Sequence, residues 1–265
     1  MPSGRNANAR VPLAFLFLFV VTVAGSVAAY FAGDLGKWQE GVAARESRTA
    51  LQGISEASQI DEALRQHPSN KFLQMMAMAT RAANETGAAI EKLSNEVEPP
   101  TISRADNLGG ASRDDLEALR RDLKTAEANA TTFMPRYIAV LKTEHDDVEK
   151  YALSLHVGKD TISRLLDNID KRQAEITAFT SRMLLARADF YRAYGNYVAV
   201  LVAEFGAFKV VKGEFIFPFQ RTVDRYNAAA NAMTVAAKRV AELEEERKSQ
   251  LKSQQQGWEQ FVGGK

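Results

Sequence analysis

Three histidines, His67, His145 and His156, are the side chains here best suited to proton transfer near neutral pH or to binding a transition metal. His145 and Glu149 stand four residues apart, a spacing that puts two ligands on one helix face. No third ligand completes the set, because His156 lies roughly 16 Å further along a helix. The pair therefore reads as a solvated helix face. Glu144, Asp146, Asp147 and Glu149 form an acidic cluster of the kind that attracts cations, and this too reads as surface charge. There is no cysteine, which removes disulfides, thiolate metal sites and thiol catalysis. Phosphate-binding glycine loops, nucleophile elbows and paired zinc motifs are also absent from the sequence. The expectation is a protein with no catalytic, cofactor-binding or metal-ligating residues, and no enzyme.

Aromatic residues are the one unusual concentration. Phe190, Tyr191, Tyr194, Tyr197, Phe205, Phe208, Phe215, Phe217, Phe219 and Tyr226 fall within 37 residues. One reading is that they cap a helical bundle where the chain reverses between its two longest helices. The other is a partner-binding patch made by Phe205, Phe208, Phe215, Phe217, Phe219 and Tyr226, since Phe and Tyr are enriched at interfaces. Met75, Met76 and Met78 read as core filler in preference to a binding groove.

The elements that position these residues begin with an apolar run, residues 11–33, carrying no charge between Arg10 and Asp34. Its length meets the roughly 20 residues needed to cross a hydrocarbon core. Val11, Phe15, Phe19, Val23 and Tyr30 lie along it, contacting membrane lipid in this reading. Arg5 and Arg10 precede it and Asp34, Lys37 and Glu40 follow, which predicts a cytoplasmic N-terminus and an exported remainder. The rival reading is a cleaved signal, with small residues near Ser26-Val27-Ala28 offering a cleavage site. The organisation expected is a leader over 1–10, the span or signal over 11–33, an exported helical region over 34–256 and a tail over 257–265.

Past residue 33 the sequence is rich in helix formers. His67-Pro68 ends a first helix, and Ser69-Asn70 offers the cap of a second, which Pro99-Pro100 stops. Ser112-Arg113-Asp114-Asp115 opens a third, with Leu116, Leu119, Leu123 and Ala126 on its apolar side. Pro135 is expected to break or kink it, and the following helix presents Ile138, Leu141, Val148 and Leu153. From Asp160 to about Phe205 a heptad stripe runs through Ile162, Ile169, Ile176, Met183, Phe190 and Tyr197. Leu165, Arg172, Phe179, Ala186, Ala193 and Val200 follow three positions on, so eleven of the twelve are apolar or aromatic. Such a helix is roughly 65–70 Å long. Residues 208–217 then alternate around Lys212-Gly213, as a small β-hairpin or an irregular cap at a bundle end. A last helix over about 219–256 carries Val223, Tyr226, Ala230, Met233, Ala237 and Val240, and turns polar from Glu242 as a solvated or frayed end. The fold expected is all-α: an elongated bundle of long antiparallel helices behind an N-terminal transmembrane helix.

Basic and acidic residues number 34 and 33 and are well mixed, so no basic stripe supports nucleic-acid binding. Gly213, then Phe217-Pro218, seven residues, and Tyr226-Asn227 together resemble a motif in a family of bacterial envelope proteins of unknown function. The likeness extends loosely over 130–227. It implies an exported, helical, bacterial protein and brings no activity. No cysteine follows the apolar run, so lipid attachment through a cysteine is impossible here. The function expected is that of an accessory or structural subunit of the bacterial inner membrane, its bulk in the periplasm, acting by protein contact. The partner is another protein or a second copy. The alternative is a ligand-binding or sensory ectodomain working through a partner.

Overall fold

Capping residues set the helix starts. In the computed structural model, which describes residues 59–98, 108–155 and 159–262, Asn70 Oδ1 accepts a hydrogen bond from the Leu73 N–H at 3.2 Å. It thereby satisfies one orphan donor of helix α2 (Lys71–Val97), which follows the short α1 (Ile60–Gln66). Ser112 and Asp115 form a reciprocal box: the Asp115 N–H donates to Ser112 Oγ at 3.2 Å and the Ser112 N–H to Asp115 Oδ2 at 3.1 Å. That box opens α3 (Arg113–Ser154). Then come α4 (Lys159–Ala203), strands β1 (Lys209–Val211) and β2 (Glu214–Ile216), and α5 (Gln220–Val262). The architecture is all-α with one small hairpin. The span residues Val11, Phe15, Phe19, Val23 and Tyr30 lie outside the described residues. Among the described residues no helix is long and apolar enough to cross a membrane.

Pro135 does not break α3, and the separate helix expected from 136 is the continuation of the same one. Proline denies the Thr131 carbonyl its usual donor, at a cost of about 3 kcal/mol inside a helix. The ring is exposed, and the apolar stripe continues on both sides of it, so burial outweighs the lost bond. Continuity also sets the phase. Leu116, Leu119, Leu123, Ala126, Ala130 and Phe133 are followed four residues later by Tyr137, then Leu141, Glu144, Val148 and Ala152, all buried. Ile138 and Leu153, expected on the core side, are instead exposed. Leu141 and Val148 are buried as expected, whereas Ile138 and Leu153 each follow a buried residue, Tyr137 and Ala152, and so stand about 100° round the helix from it.

The described chain falls into two compact units. One takes in the described parts of Ser94–Met134 and Thr180–Glu244, and so holds the hairpin. Its core is built on the second half of α4, where Met183, Leu184, Ala186, Phe190, Tyr191, Tyr194, Tyr197, Val198, Val200, Leu201 and Val202 are buried. Burial on more than one side matches a sequence that is apolar nearly all round there. The α5 residues Val223, Tyr226, Ala230, Met233, Ala237 and Val240 are half-buried, on the side expected. The other unit takes in the described parts of Leu16–Leu93, Pro135–Phe179 and Glu245–Lys265. Its α2 contributes Leu73, Met75, Ala77 and Ile90, and its part of the α4 stripe contributes Ile162 and Phe179. The polar end of α5 departs from expectation. Leu243, Glu244 and Arg247 are buried, and the helix continues to Val262.

Candidate functional site

Gly206, at φ +85°, takes the left-handed conformation that lets the chain leave α4. The hairpin follows, antiparallel, with Lys209 opposite Ile216, Val210 opposite Phe215 and Val211 opposite Glu214. Lys212 and Gly213 form the two-residue loop, at φ +53° and +82°. Positive φ at both positions is what a type I′ turn requires, and its twist matches that of the paired strands. Thr222 Oγ1 then donates to Glu204 Oε1 at 3.3 Å, tying the start of α5 to the end of α4. Arg225 lies 3.9 Å from the same carboxylate.

Period-two alternation gives the hairpin two faces. Phe208, Val210, Phe215 and Phe217 share the inward one, on which Val210 is still 40% exposed. There Phe208 meets Phe215 at 5.1 Å and Phe217 at 5.8 Å between centroids. Phe217 and Phe215 reach Tyr226 of α5 at 5.0 and 5.7 Å. Tyr226 in turn meets Tyr197 of α4, at 5.2 Å between rings and 3.0 Å between hydroxyls. Tyr194, Phe190 and Tyr191 continue the chain of rings along α4. Burial, and then the bond to Tyr226, push the Tyr197 hydroxyl well above the usual tyrosine range, so it stays protonated. Each such ring pair adds roughly 0.5–1.5 kcal/mol beyond the area it buries. A hairpin of three-residue strands is thus held by its inner face.

The opposite face carries Lys209, Val211, Glu214 and Ile216, all exposed. Nine large apolar side chains are exposed among the described residues, and five of them, Phe205, Val210, Val211, Ile216 and Phe219, belong to this turn between α4 and α5. The six aromatic residues expected to form a patch therefore divide. Phe217 is buried; Phe208, Phe215 and Tyr226 are half-buried in the ring stack; Phe205 and Phe219 are exposed. Phe205 touches the stack edge-on through Phe208 at 6.1 Å. Val211 and Ile216, the outward apolar pair, were not among the residues singled out from sequence, although the alternation that located the strands also orients them.

Two buried polar clusters depart from the sequence reading, which passed over one and placed Glu144 of the other on the surface. In the hairpin-bearing unit, Arg187 lies 3.3 Å from Glu244 Oε1 and 3.9 Å from Glu98 Oε1, with Arg187 and Glu244 side chains only 11% and 3% exposed. Tyr191 also bonds Arg187, and burial raises the pKa of both Tyr191 and Glu98. In the other unit Glu144 is buried, bonded by Thr86 and by Gln173 Nε2 at 3.3 Å, and burial raises its pKa. Its place in the Tyr137–Leu141–Glu144–Val148 series was the available signal. Asp146, Asp147 and Glu149 remain exposed, so the acidic cluster is split. His145 Nδ1 pairs with Asp170 Oδ1 at 2.8 Å. Among the described residues no group of three or more His, Cys, Asp or Glu side chains is placed to hold a metal ion. Comparison of the chain with protein families, with curated proteins and with solved structures gives no match to any of them.

Proposed function

We propose that this chain is an accessory or structural subunit of a bacterial envelope, tethered to the inner membrane through residues 11–33 and acting by protein contact through its hairpin. One observation carries the reading: Val211, Ile216 and Phe219 are 51, 49 and 67% exposed on and beside a hairpin that its inner rings already secure. Concentrated apolar exposure at a rigid turn is a common mark of an interaction site. The Phe-Pro-x7-Tyr-Asn likeness to envelope proteins and the apolar segment with its basic leader agree with that placement.

The test is chemical cross-linking in intact cells followed by purification of the full chain in mild detergent. Val211→Thr/Ile216→Thr/Phe219→Ser keeps strand-forming residues in the strands and removes the apolar surface. Loss of a stoichiometric adduct, at unchanged helix content and thermal midpoint, supports the reading. An adduct unchanged in the triple variant, or no adduct in the parent, overturns it.

A further inference from the structure

The outward face of the hairpin is self-complementary. The register sets its four side chains at the corners of a near-rectangle: Lys209 beside Ile216, and Val211 beside Glu214. Its sides are about 5 Å across the strands and about 7 Å along them. The two charges occupy one diagonal and the two apolar side chains the other. All four are exposed, and among the described residues neither Lys209 nor Glu214 is ion-paired within the chain.

We infer that the hairpin docks on the hairpin of a second copy of this chain, face to face, about a two-fold axis lying along the Val211–Ile216 diagonal. This rests on reading the hairpin as a protein-contact surface, and names what it contacts. A two-fold interface applies one patch to itself. With the axis on that diagonal, Val211 meets the partner's Val211 and Ile216 meets the partner's Ile216. Lys209 then falls within about 3 Å, in the plane, of the partner's Glu214, and the reverse pair forms by symmetry. The axes along and across the strands set Lys209 over the partner's Ile216 or over the partner's Val211. Both leave the charges facing apolar groups, which costs desolvation without repayment. The Lys209–Glu214 diagonal sets like charge on like charge, so only the Val211–Ile216 diagonal joins apolar groups to each other and opposite charges to each other.

The face is small. Stable interfaces bury about 1,200–2,000 Å² in total, and four side chains a side fall well short of that. The contact is therefore weak in dilute solution, and forms when both copies are held in one membrane at raised effective concentration.

The native sequence has no cysteine, so Ile216→Cys in the full chain gives a clean site for a short bis-maleimide, in cells and in purified proteoliposomes. The parent Ile216→Cys chain is expected to cross-link to twice its own mass, while Val235→Cys, exposed on α5 away from the hairpin, does not. Added Lys209→Glu or Glu214→Lys turns two attractions into two repulsions and weakens dimer formation roughly tenfold. The double exchange Lys209→Glu/Glu214→Lys restores it to within about twofold. Yields unchanged by the single reversals, or a double exchange as weak as either single, overturn the proposal. Adducts only with a different protein overturn it while leaving the contact reading intact. Adducts with no protein, together with binding of the chain to anionic vesicles, sink both.

Discussion

Phe217 and Phe219 are two residues apart, chemically identical, and stand in opposite environments, so replacing each with alanine separates a side chain that holds the hairpin from one that is presented by it. Phe217 is 8% exposed and lies within 6.4 Å, centroid to centroid, of the rings of Phe208, Phe215 and Tyr226. A buried phenylalanine truncated to alanine costs about 3–5 kcal/mol. The lower end applies, because Phe208, Phe215 and Tyr226 are themselves half-buried and can close part of the space. With a urea slope of about 2 kcal/mol/M, a loss of about 3 kcal/mol moves the unfolding midpoint down by about 1.5 M. Phe219 is 67% exposed, and its truncation should change stability by no more than about 0.5 kcal/mol. The assay is equilibrium urea unfolding of the full chain in mild detergent, followed by near-ultraviolet circular dichroism, which reports the packed rings. Near-equal effects of the two substitutions, or a Phe217→Ala midpoint within 0.3 M of the parent (about 0.6 kcal/mol at that slope), would refute the division of the hairpin into a packed and a presented side.

Three further outcomes are expected. Glu144→Gln should raise the thermal midpoint at pH 7: burial lifts the native carboxyl's pKa, so the charged form carries a penalty that is fully present above the native value. As pH falls toward the ordinary glutamate range that penalty disappears, and the parent and variant melting curves should converge; a gap that widens on acidification is the contrary result. Arg187→Met removes the cation facing the buried Glu244 carboxylate and should cost about 3 kcal/mol in urea unfolding, most of it recovered in Arg187→Met/Glu244→Leu. Lys212→Asn should raise the midpoint by the equivalent of about 0.5 kcal/mol, since asparagine accepts the left-handed conformation at φ +53° more readily than lysine.

The local signals in the sequence were sufficient wherever a residue acts on its own backbone. Asn70, Ser112 with Asp115, and Lys212-Gly213 mark helix starts and a turn because their preferences do not depend on distant neighbours. Pro135 is the counterexample. Its local preference is to stop a helix, and only the packing of α3 on either side reverses the outcome, carrying Tyr137 into the core and leaving Ile138 outside. The same limit hid Glu144, Arg187 and Glu244. A charged residue in a polar stretch is ordinarily solvated, and what buries these is the partner each meets: Gln173 lies 29 positions from Glu144, and Glu244 lies 57 from Arg187. Within the aromatic segment, composition located the site without sorting it. Parity groups Phe219 with Phe217, and they part because β2 ends at Ile216, so that Pro218 and the start of α5 redirect the chain between them.

That sorting bears on why the hairpin is informative at all. Two three-residue strands are marginal on their own in water, and here the stabilising contacts fall on one side, through Phe208, Phe215 and Phe217 to Tyr226 and Tyr197. The outer side has no such structural duty. A position free of packing demands and open to water is ordinarily filled by polar residues, and polar β-formers such as threonine would preserve the strands at no loss. Valine and isoleucine at 211 and 216 instead keep apolar surface in water while adding no contact to the inner stack. Lysine and glutamate at the remaining two corners, charges of both signs, argue against simple leakage of hydrophobic character from the neighbouring rings. Such a face costs solubility in isolation and gains only when something covers it.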